Sequence, residues 1–269
     1  MADSEDNGNH PQRPDTVSAL ERGIAVLRCF TETRRVLTPT ELARLTGVPR
    51  PTVTRLASTL VTLGLMQQEP GSERFMLGPG VVSIARVFLA GLDVRAVARP
   101  HMQALAEAAS GSVYLAVPDG LDMVLIEACR PRSTMFVPRL DVGSRAPMAN
   151  SALGRAYLWA LPPQERQSLI ESLRLSRGSD WAALEGGLTR SLQDADRLGY
   201  CISAGEFHRE INSVSVAVVG PAGEVIALNC GSAAFVFSED HLRQNVAPQL
   251  LRMAAALAED LGGHVPQPH

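Results

Sequence analysis

The stretch Thr38–Leu63, TPTELARLTGVPRPTVTRLASTLVTL, decides how the first third of the chain is read. Thr38 reads as an N-cap, with Pro39 at the first helical position and Glu41 three residues on, a capping box. Gly47 supplies a left-handed stop for that helix. Val48-Pro49-Arg50-Pro51 starts a second helix, where prolines are tolerated because first-turn amides lack intrahelical partners. The remaining free amides at that end could meet a phosphate. Val53, Leu56, Leu60 and Leu63 share one face of this helix. The other face carries Arg50, Thr52, Thr54, Arg55, Ser58, Thr59 and Thr62, and no acid. Solvated helices normally mix signs, so this face suits phosphates and base edges.

Outward from this stretch, Val17 to Phe30 reads as a preceding helix, with Ser18 and Glu21 as a second capping box. Leu20, Ile24, Leu27 and Phe30 form its apolar stripe, beside the small Ala19 and Gly23. Downstream, Leu65–Gln68 and Phe75–Leu77 read as strands around the turn Glu69-Pro70-Gly71-Ser72. Three helices and a hairpin make a winged helix-turn-helix, with Arg74 on the wing. The candidate DNA contacts are Thr38, Arg50, Pro51, Thr52, Thr54, Arg55, Ser58 and Arg74. The bland alternative is a small helical core with incidental arginines. The capping, the glycine turn, the acid-free face and the hairpin together outweigh it.

Charge is divided along the chain in the same sense. The net charge is −3. Residues 15–90 hold nine arginines against six acids, whereas residues 91–269 hold fifteen against nineteen. A basic binding part on an acidic body follows. There is no lysine, a pattern better ascribed to genome composition than to function. The segment 1–14 is polar and acidic without an apolar core, which predicts a disordered tail and no signal peptide. No apolar run reaches the ~18 residues of a membrane span, so a cytoplasmic protein is expected. Cys29, Cys129, Cys201 and Cys230 are scattered without a C-x-x-C, which argues against disulfides or a zinc site.

Beyond the hairpin, Gly80–Leu92 is apolar with Arg86 as its one charge, so it must pack on something, most simply its own copy in a dimer. Asp93–Ser110 is a further helix, with Pro100 a start or kink point. The period then changes. Ser112–Val117 and Met123–Ala128 read as strands around Pro118-Asp119-Gly120, and Thr134–Leu140 as a third short strand. Helices follow at Ser151–Leu161, Gln164–Leu175 and Leu188–Leu198. Ile211–Val219 and Glu224–Asn229 form another hairpin, and a last helix capped by Ser238 runs to about Leu261. The fold class is α+β with an antiparallel sheet.

No catalytic set emerges. The six histidines form no metal-spaced cluster, and neither G-x-S-x-G nor a phosphate-binding loop is present. No metal and no cofactor are expected. What remains is a pocket argument. The amides around Asn150 to Leu153, at a helix N-terminus, could hold a carboxylate. Ser213 and Ser215 interrupt the strand INSVSVAVV, and Asn229 ends the next one. They are either convergent ligand contacts or a solvated face. Arg145 and His208 are possible carboxylate partners, though each is more often a solvated surface charge.

The phrases SALERGIAVLRCF, LTPTELARLTGVPRPTVTRLASTLVTLGLM and RFMLGPGVVSIARVF resemble the N-terminal domain of the IclR family of bacterial transcriptional regulators. The resemblance covers residues 17 to 262. It implies a GAF-like effector-binding domain and a helix that connects the two domains and supports dimerisation. The effector would lie between the sheet and the loop before the first helix of that domain, where GSRAPMANSALGRA matches the family phrase. The family often has His where this chain has Ala149 and usually Cys where it has Ser213, with serines near Asn229 and Gly231. The candidate effector-binding residues are therefore Ala149, Asn150, Ser151, Ala152, Ser213, Ser215, Asn229 and Gly231. The resemblance further implies a small organic acid as effector, plausibly an aromatic-catabolism intermediate.

The expected organisation is a tail over 1–14, a winged helix-turn-helix over 15–78, a linker helix over 79–93 and an effector domain over 94–264. The expected partners are double-stranded operator DNA, a small carboxylate effector and a second copy of the chain, as a homodimer or dimer of dimers. The rival reading is a metabolite-binding or catalytic α+β domain with a helical protein-interaction module.

Overall fold

The computed structural model describes residues 16–132 and 140–268. The tail 1–14 and nearly all of the strand expected at Thr134–Leu140 lie outside the described residues. The chain divides into two compact units, Met1–Gly91 and Leu92–His269.

In the first unit, α1 (Ser18–Leu27) is preceded by Val17 as N-cap, which makes no side-chain capping bond. The capping box expected at Ser18 and Glu21 does not form. Ser18 already lies inside the first turn, where its oxygen no longer faces the free amides. The buried face of α1 is Gly23 and Val26, while Leu20 and Ile24 are exposed. Of the expected stripe, Leu27 and Phe30 pack against the core from half-buried positions, and Leu20 and Ile24 do not. α2 (Pro39–Thr46) carries the other capping box intact. The Thr38 backbone amide and hydroxyl both donate to Glu41 Oε2 at 2.8 Å, and the Glu41 amide returns to Thr38 Oγ1 at 3.2 Å. Gly47 closes α2 at φ +70°.

α3 (Arg50–Thr62) buries Val53, Ala57 and Leu60 against Val26, Leu42 and Met66. Leu56 is half-buried and Leu63 is 64% exposed. Ala57 takes the core position expected of Leu63, since 53, 57 and 60 stack on one face. β1 (Met66–Gln68) and β2 (Phe75–Leu77) form the antiparallel wing. Leu37 adds a bridge to Phe75 through both backbone bonds, at 2.9 and 2.8 Å. The chain then folds tightly back: the Gly80 amide meets Gly64 O at 3.1 Å, and a Cβ on Gly78 would lie 2.5 Å from that oxygen. Only glycine fits there. α4 (Gly80–Ala90) follows and buries none of its residues.

The second unit is built on a six-stranded antiparallel sheet in the order β5-β4-β3-β8-β7-β6. Its strands are β3 (Ser112–Asp119), β4 (Asp122–Cys129), β5 (Arg145–Pro147), β6 (Cys201–Ala204), β7 (Ile211–Val219) and β8 (Val225–Ala233). The two edge strands, β5 and β6, have three and four residues, too few for an alternating pattern to show in the sequence. Leu153 and Leu158 of α6 (Ala152–Ala160) pack with Tyr114, Ala116, Leu125 and Ala227 on one sheet face. α7 (Pro163–Arg177) and α8 (Trp181–Leu198) extend this layer through Leu173, Trp181 and Leu188. α5 (Asp93–Ala109) runs straight through Pro100, whose ring is exposed, and packs with the last helix against the sheet.

One helix start differs clearly from expectation. α8 starts at Trp181, seven residues before the expected Leu188, because the Gly186-Gly187 pair stays helical where packing supports it. The last helix runs from its Ser238 cap to Leu261 as expected, with a wide helical turn over Leu242–Val246 between α9 (Glu239–His241) and α10 (Ala247–Leu261).

Candidate functional site

On the first unit, α3 and the wing carry the residues picked as DNA contacts. Arg50, Pro51, Thr54, Arg55 and Ser58 are exposed on α3, and Arg74 is exposed on the wing; Thr52 and Thr38 are half-buried. The hydroxyls of Thr54, Ser58, Thr59 and Thr62 donate to the carbonyls four residues back, at 3.0 to 3.1 Å. Their remaining lone pairs face outward as acceptors. Arg50 Nη2 pairs with Glu73 Oε2 of the wing at 2.8 Å, and both side chains are more than half exposed. Glu73 was not singled out in the sequence. A pair this exposed is weak and a phosphate can replace its acid. Thr38 is committed to its capping box, whose bonds also hold the Glu41 carboxyl below the usual range. At the α3 N-terminus Pro51 has no amide proton, and the Thr52 and Val53 amides return to Pro49 O at 2.9 and 3.0 Å. Little of that turn is left for a phosphate, so the arginines carry the charge.

The second unit holds a small cavity between α6 and the sheet, lined on one side by Ser151, Ala152 and Leu153 and on the other by Tyr114, Ser213, Asn229 and Gly231. Phe207, Leu140, Ala146 and Ile211 complete it. It encloses about 30 Å³, room for a water or two. A larger guest must push a wall aside.

Of the candidate effector residues, Ser151, Ala152, Ser213, Asn229 and Gly231 meet at this cavity, and Ala149, Asn150 and Ser215 do not line it. Ser151 caps α6: its hydroxyl accepts from the Gly154 amide at 3.1 Å and donates to Pro147 O at 2.6 Å. The amides of Ala152 and Leu153, the first two of the helix, have no intrahelical acceptor. Ser213 and Ser215 lie on the face towards α6, and Ser215 is fully buried, so the solvated-face alternative fails. Ser215 Oγ accepts from Asn229 Nδ2 at 2.8 Å and thereby orients that side chain. Asn150 donates to Glu206 O at 3.1 Å, and its own carbonyl accepts from Ser203 Oγ at 2.9 Å.

Arg145 is committed elsewhere. Its guanidinium bonds Asp119 Oδ2 at 2.6 Å, Asp119 O at 2.8 Å and Asp122 Oδ2 at 2.9 Å. Partial burial disfavours its charge, but the two carboxylates outweigh that and raise its pKa. It pins the β3–β4 turn to β5. His208 is exposed and stacks near Phe207, with ring centroids 4.0 Å apart.

Arg155 was missed as a site residue. It is 3% exposed, and its guanidinium donates to Ala149 O at 3.1 Å, to Ile202 O at 3.2 Å and to the Glu206 carboxylate. It joins the loop before α6 to β6 and to the loop that carries Phe207. The signal was available: one arginine in the otherwise apolar ALGRAYLWA must be buried with partners. Gly187 makes room for this cluster, since a Cβ there would lie 2.9 Å from both Arg155 Nη2 and Glu206 Oε1.

All four cysteines are free and buried, and burial pushes Cys201 and Cys230 up to about 12. Among the described residues no group of His, Cys, Asp and Glu could hold a metal ion, and no helix is long and apolar enough to cross a membrane.

Known proteins resemble both units. Residues 19–70 match the IclR helix-turn-helix domain, and residues 87–259 match the bacterial transcriptional regulator IclR C-terminal domain. The HTH-type transcriptional regulator TsaQ1/TsaQ2 of Comamonas testosteroni is 36% identical over 76% of this chain and 73% of its own length. The Pca regulon regulatory protein of Pseudomonas putida is 26% identical over 93% of this chain and 86% of its own. A crystal structure of an IclR family transcriptional regulator from Brucella abortus superposes with a TM-score of 0.84 at 38% identity, covering 94% of this chain and 95% of that one. A winged helix-turn-helix and a six-stranded antiparallel sheet, matched over both units, place this chain in the IclR family of DNA-binding transcriptional regulators, which are not enzymes.

Proposed function

We propose that the chain acts as a homodimer whose hold on operator DNA is set by a small organic carboxylate bound between α6 and the sheet. The observation that carries this reading is the cavity itself. It sets Ala152 and Leu153, at the N-terminus of α6 where amides lack intrahelical acceptors, across from Ser213 and Asn229 in an otherwise apolar wall, and a helix N-terminus suits a carboxylate. The effector residues are Ser151, Ala152, Ser213, Asn229 and Gly231, with Ala149, Asn150 and Ser215 supporting them from behind. The DNA contacts are Arg50, Pro51, Thr52, Thr54, Arg55, Ser58 and Arg74, with Thr38 holding α2 in place. The working modules are 15–78 for DNA, 79–93 as linker and 94–264 for the effector.

Dimerisation is supported by exposed apolar side chains on two helices of the first unit. Val17, Leu20 and Ile24 stand out along α1 and its cap; Val82, Ile84, Val87 and Phe88 do so on α4. Seven large apolar side chains on so small a unit ask for cover. A two-fold dimer would set two recognition helices about one helical turn apart on a near-palindromic operator. The aromatic-acid class of effector is supported by relatives alone: a structure of an IclR homolog from Microbacterium hydrocarbonoxydans is complexed with 4-hydroxybenzoate.

The test is fluorescence anisotropy on the intergenic DNA upstream of the chain's own gene, across a salt titration with and without added acids. Tight binding that falls steeply with salt, and that a carboxylate shifts, is expected. Equal, weak binding to this and to random DNA would sink the proposed operator.

A further inference from the structure

Tyr114 lies in β3 with 2% of its surface exposed, and it lines the cavity. Its Oη is buried and completes no well-directed hydrogen bond, although the Ser112 hydroxyl on the same strand face is near enough to influence it. Buried hydroxyls without a partner are costly and uncommon. Directly across the ladder stands Asn229, whose orientation the chemistry fixes. Its Nδ2 donates to Val214 O at 3.2 Å and to Ser215 Oγ at 2.8 Å. A backbone carbonyl only accepts, so the nitrogen must be the atom that faces it. With both amide protons engaged there, Oδ1 is the acceptor left on the side of Gly231 and Ser213. A Cβ on Gly231 would lie 3.4 Å from Oδ1 and 2.9 Å from Ser213 Cβ, so glycine keeps this wall open.

We propose that Tyr114 Oη and Asn229 Oδ1 together receive a hydroxyl group of the effector, so that the site selects hydroxy-substituted carboxylic acids over the same acids without the hydroxyl. This rests on the reading above, in which the carboxylate lies at the α6 N-terminus. A hydroxyl serves both wall groups: it donates to Asn229 Oδ1 and accepts from Tyr114 Oη. A hydrogen leaves both unpaired, and a keto oxygen leaves Asn229 unpaired. A site built to bond a hydroxyl rejects the analogue that lacks it far more strongly than shape alone allows.

The experiment is isothermal titration calorimetry on the full chain with two matched pairs, 4-hydroxybenzoate against benzoate and lactate against propionate. The wild type should bind the hydroxylated member of at least one pair about tenfold tighter or more. Tyr114→Phe, which removes only the hydroxyl, should cut that ratio several-fold. Equal affinity within both pairs, or a ratio that Tyr114→Phe does not alter, overturns the proposal and leaves the carboxylate reading standing. Binding of none of the four acids overturns both.

Discussion

Arg50 and Arg55 stand on the same exposed helix with different surroundings. Arg50 is paired with Glu73, whereas no ion pair involves Arg55 among the described residues. Arg55→Ala should therefore weaken operator binding and leave effector affinity unchanged. If it acts through a base edge, the loss is about 1–3 kcal/mol and confined to one position; if through a phosphate, the salt slope falls by about one. Normal operator binding by this variant would mean that α3 is wrongly oriented. Ser213→Ala should do the reverse, weakening the acid and sparing DNA. Arg155 concerns folding more than recognition. Removing one partner of a buried ion pair strands the other, at about 3–5 kcal/mol. Glu206 is partly exposed and can re-enter water, so urea unfolding should place Arg155→Met near the lower end of that range.

At the scale of the element, α2 depends on its capping box. Thr38→Ala should cost about 1 kcal/mol, read from the unfolding midpoint. The box also gives a pH sign. Bonds from Thr38 lower the folded-state pKa of Glu41, so its contribution is present above the ordinary carboxylate pKa of about 4.3. That contribution fades as pH falls through the lowered value, and with it the difference between Thr38→Ala and wild type. α4 makes a sharper case. It buries nothing within its own unit, so its apolar side chains contribute only if covered by another copy. Val87→Asp should leave the monomer folded by circular dichroism while shifting it to lower mass in sedimentation. An unchanged mass would remove α4 from the interface. The loop bearing Phe207 forms a wall of a cavity too small for an organic acid, so Phe207→Ala should speed acid binding in stopped-flow.

At the scale of the whole molecule, a basic reading head and an acidic sensor body are joined in one chain. A ligand can shift the hold on DNA only by its differential affinity for two arrangements of the protein, typically ~1–3 kcal/mol. The winged helix-turn-helix was legible because its signals are local. A capping box, a glycine stop and a hairpin turn are each read within about four residues. The chemistry of α3 was legible because the absence of acids on one face is a statement of composition. The two edge strands, the start of α8 and the buried face of α1 were not legible, because each depends on neighbours distant in sequence. The sensor wall was half legible. Ser213 and Asn229 stood out as polar breaks in apolar strands, and Arg155 as a lone charge in an apolar helix, but Tyr114 and Phe207 looked like ordinary core or loop residues. The sequence by itself determined that the first unit is a winged helix-turn-helix and that the chain belongs to a family of DNA-binding regulators. Only the tertiary structure decided which polar groups face one cavity and which are already satisfied. Hydrogen-bond pairing between strands over 100 residues apart, as at Tyr114 and Asn229, is set by register and packing, which no local pattern records.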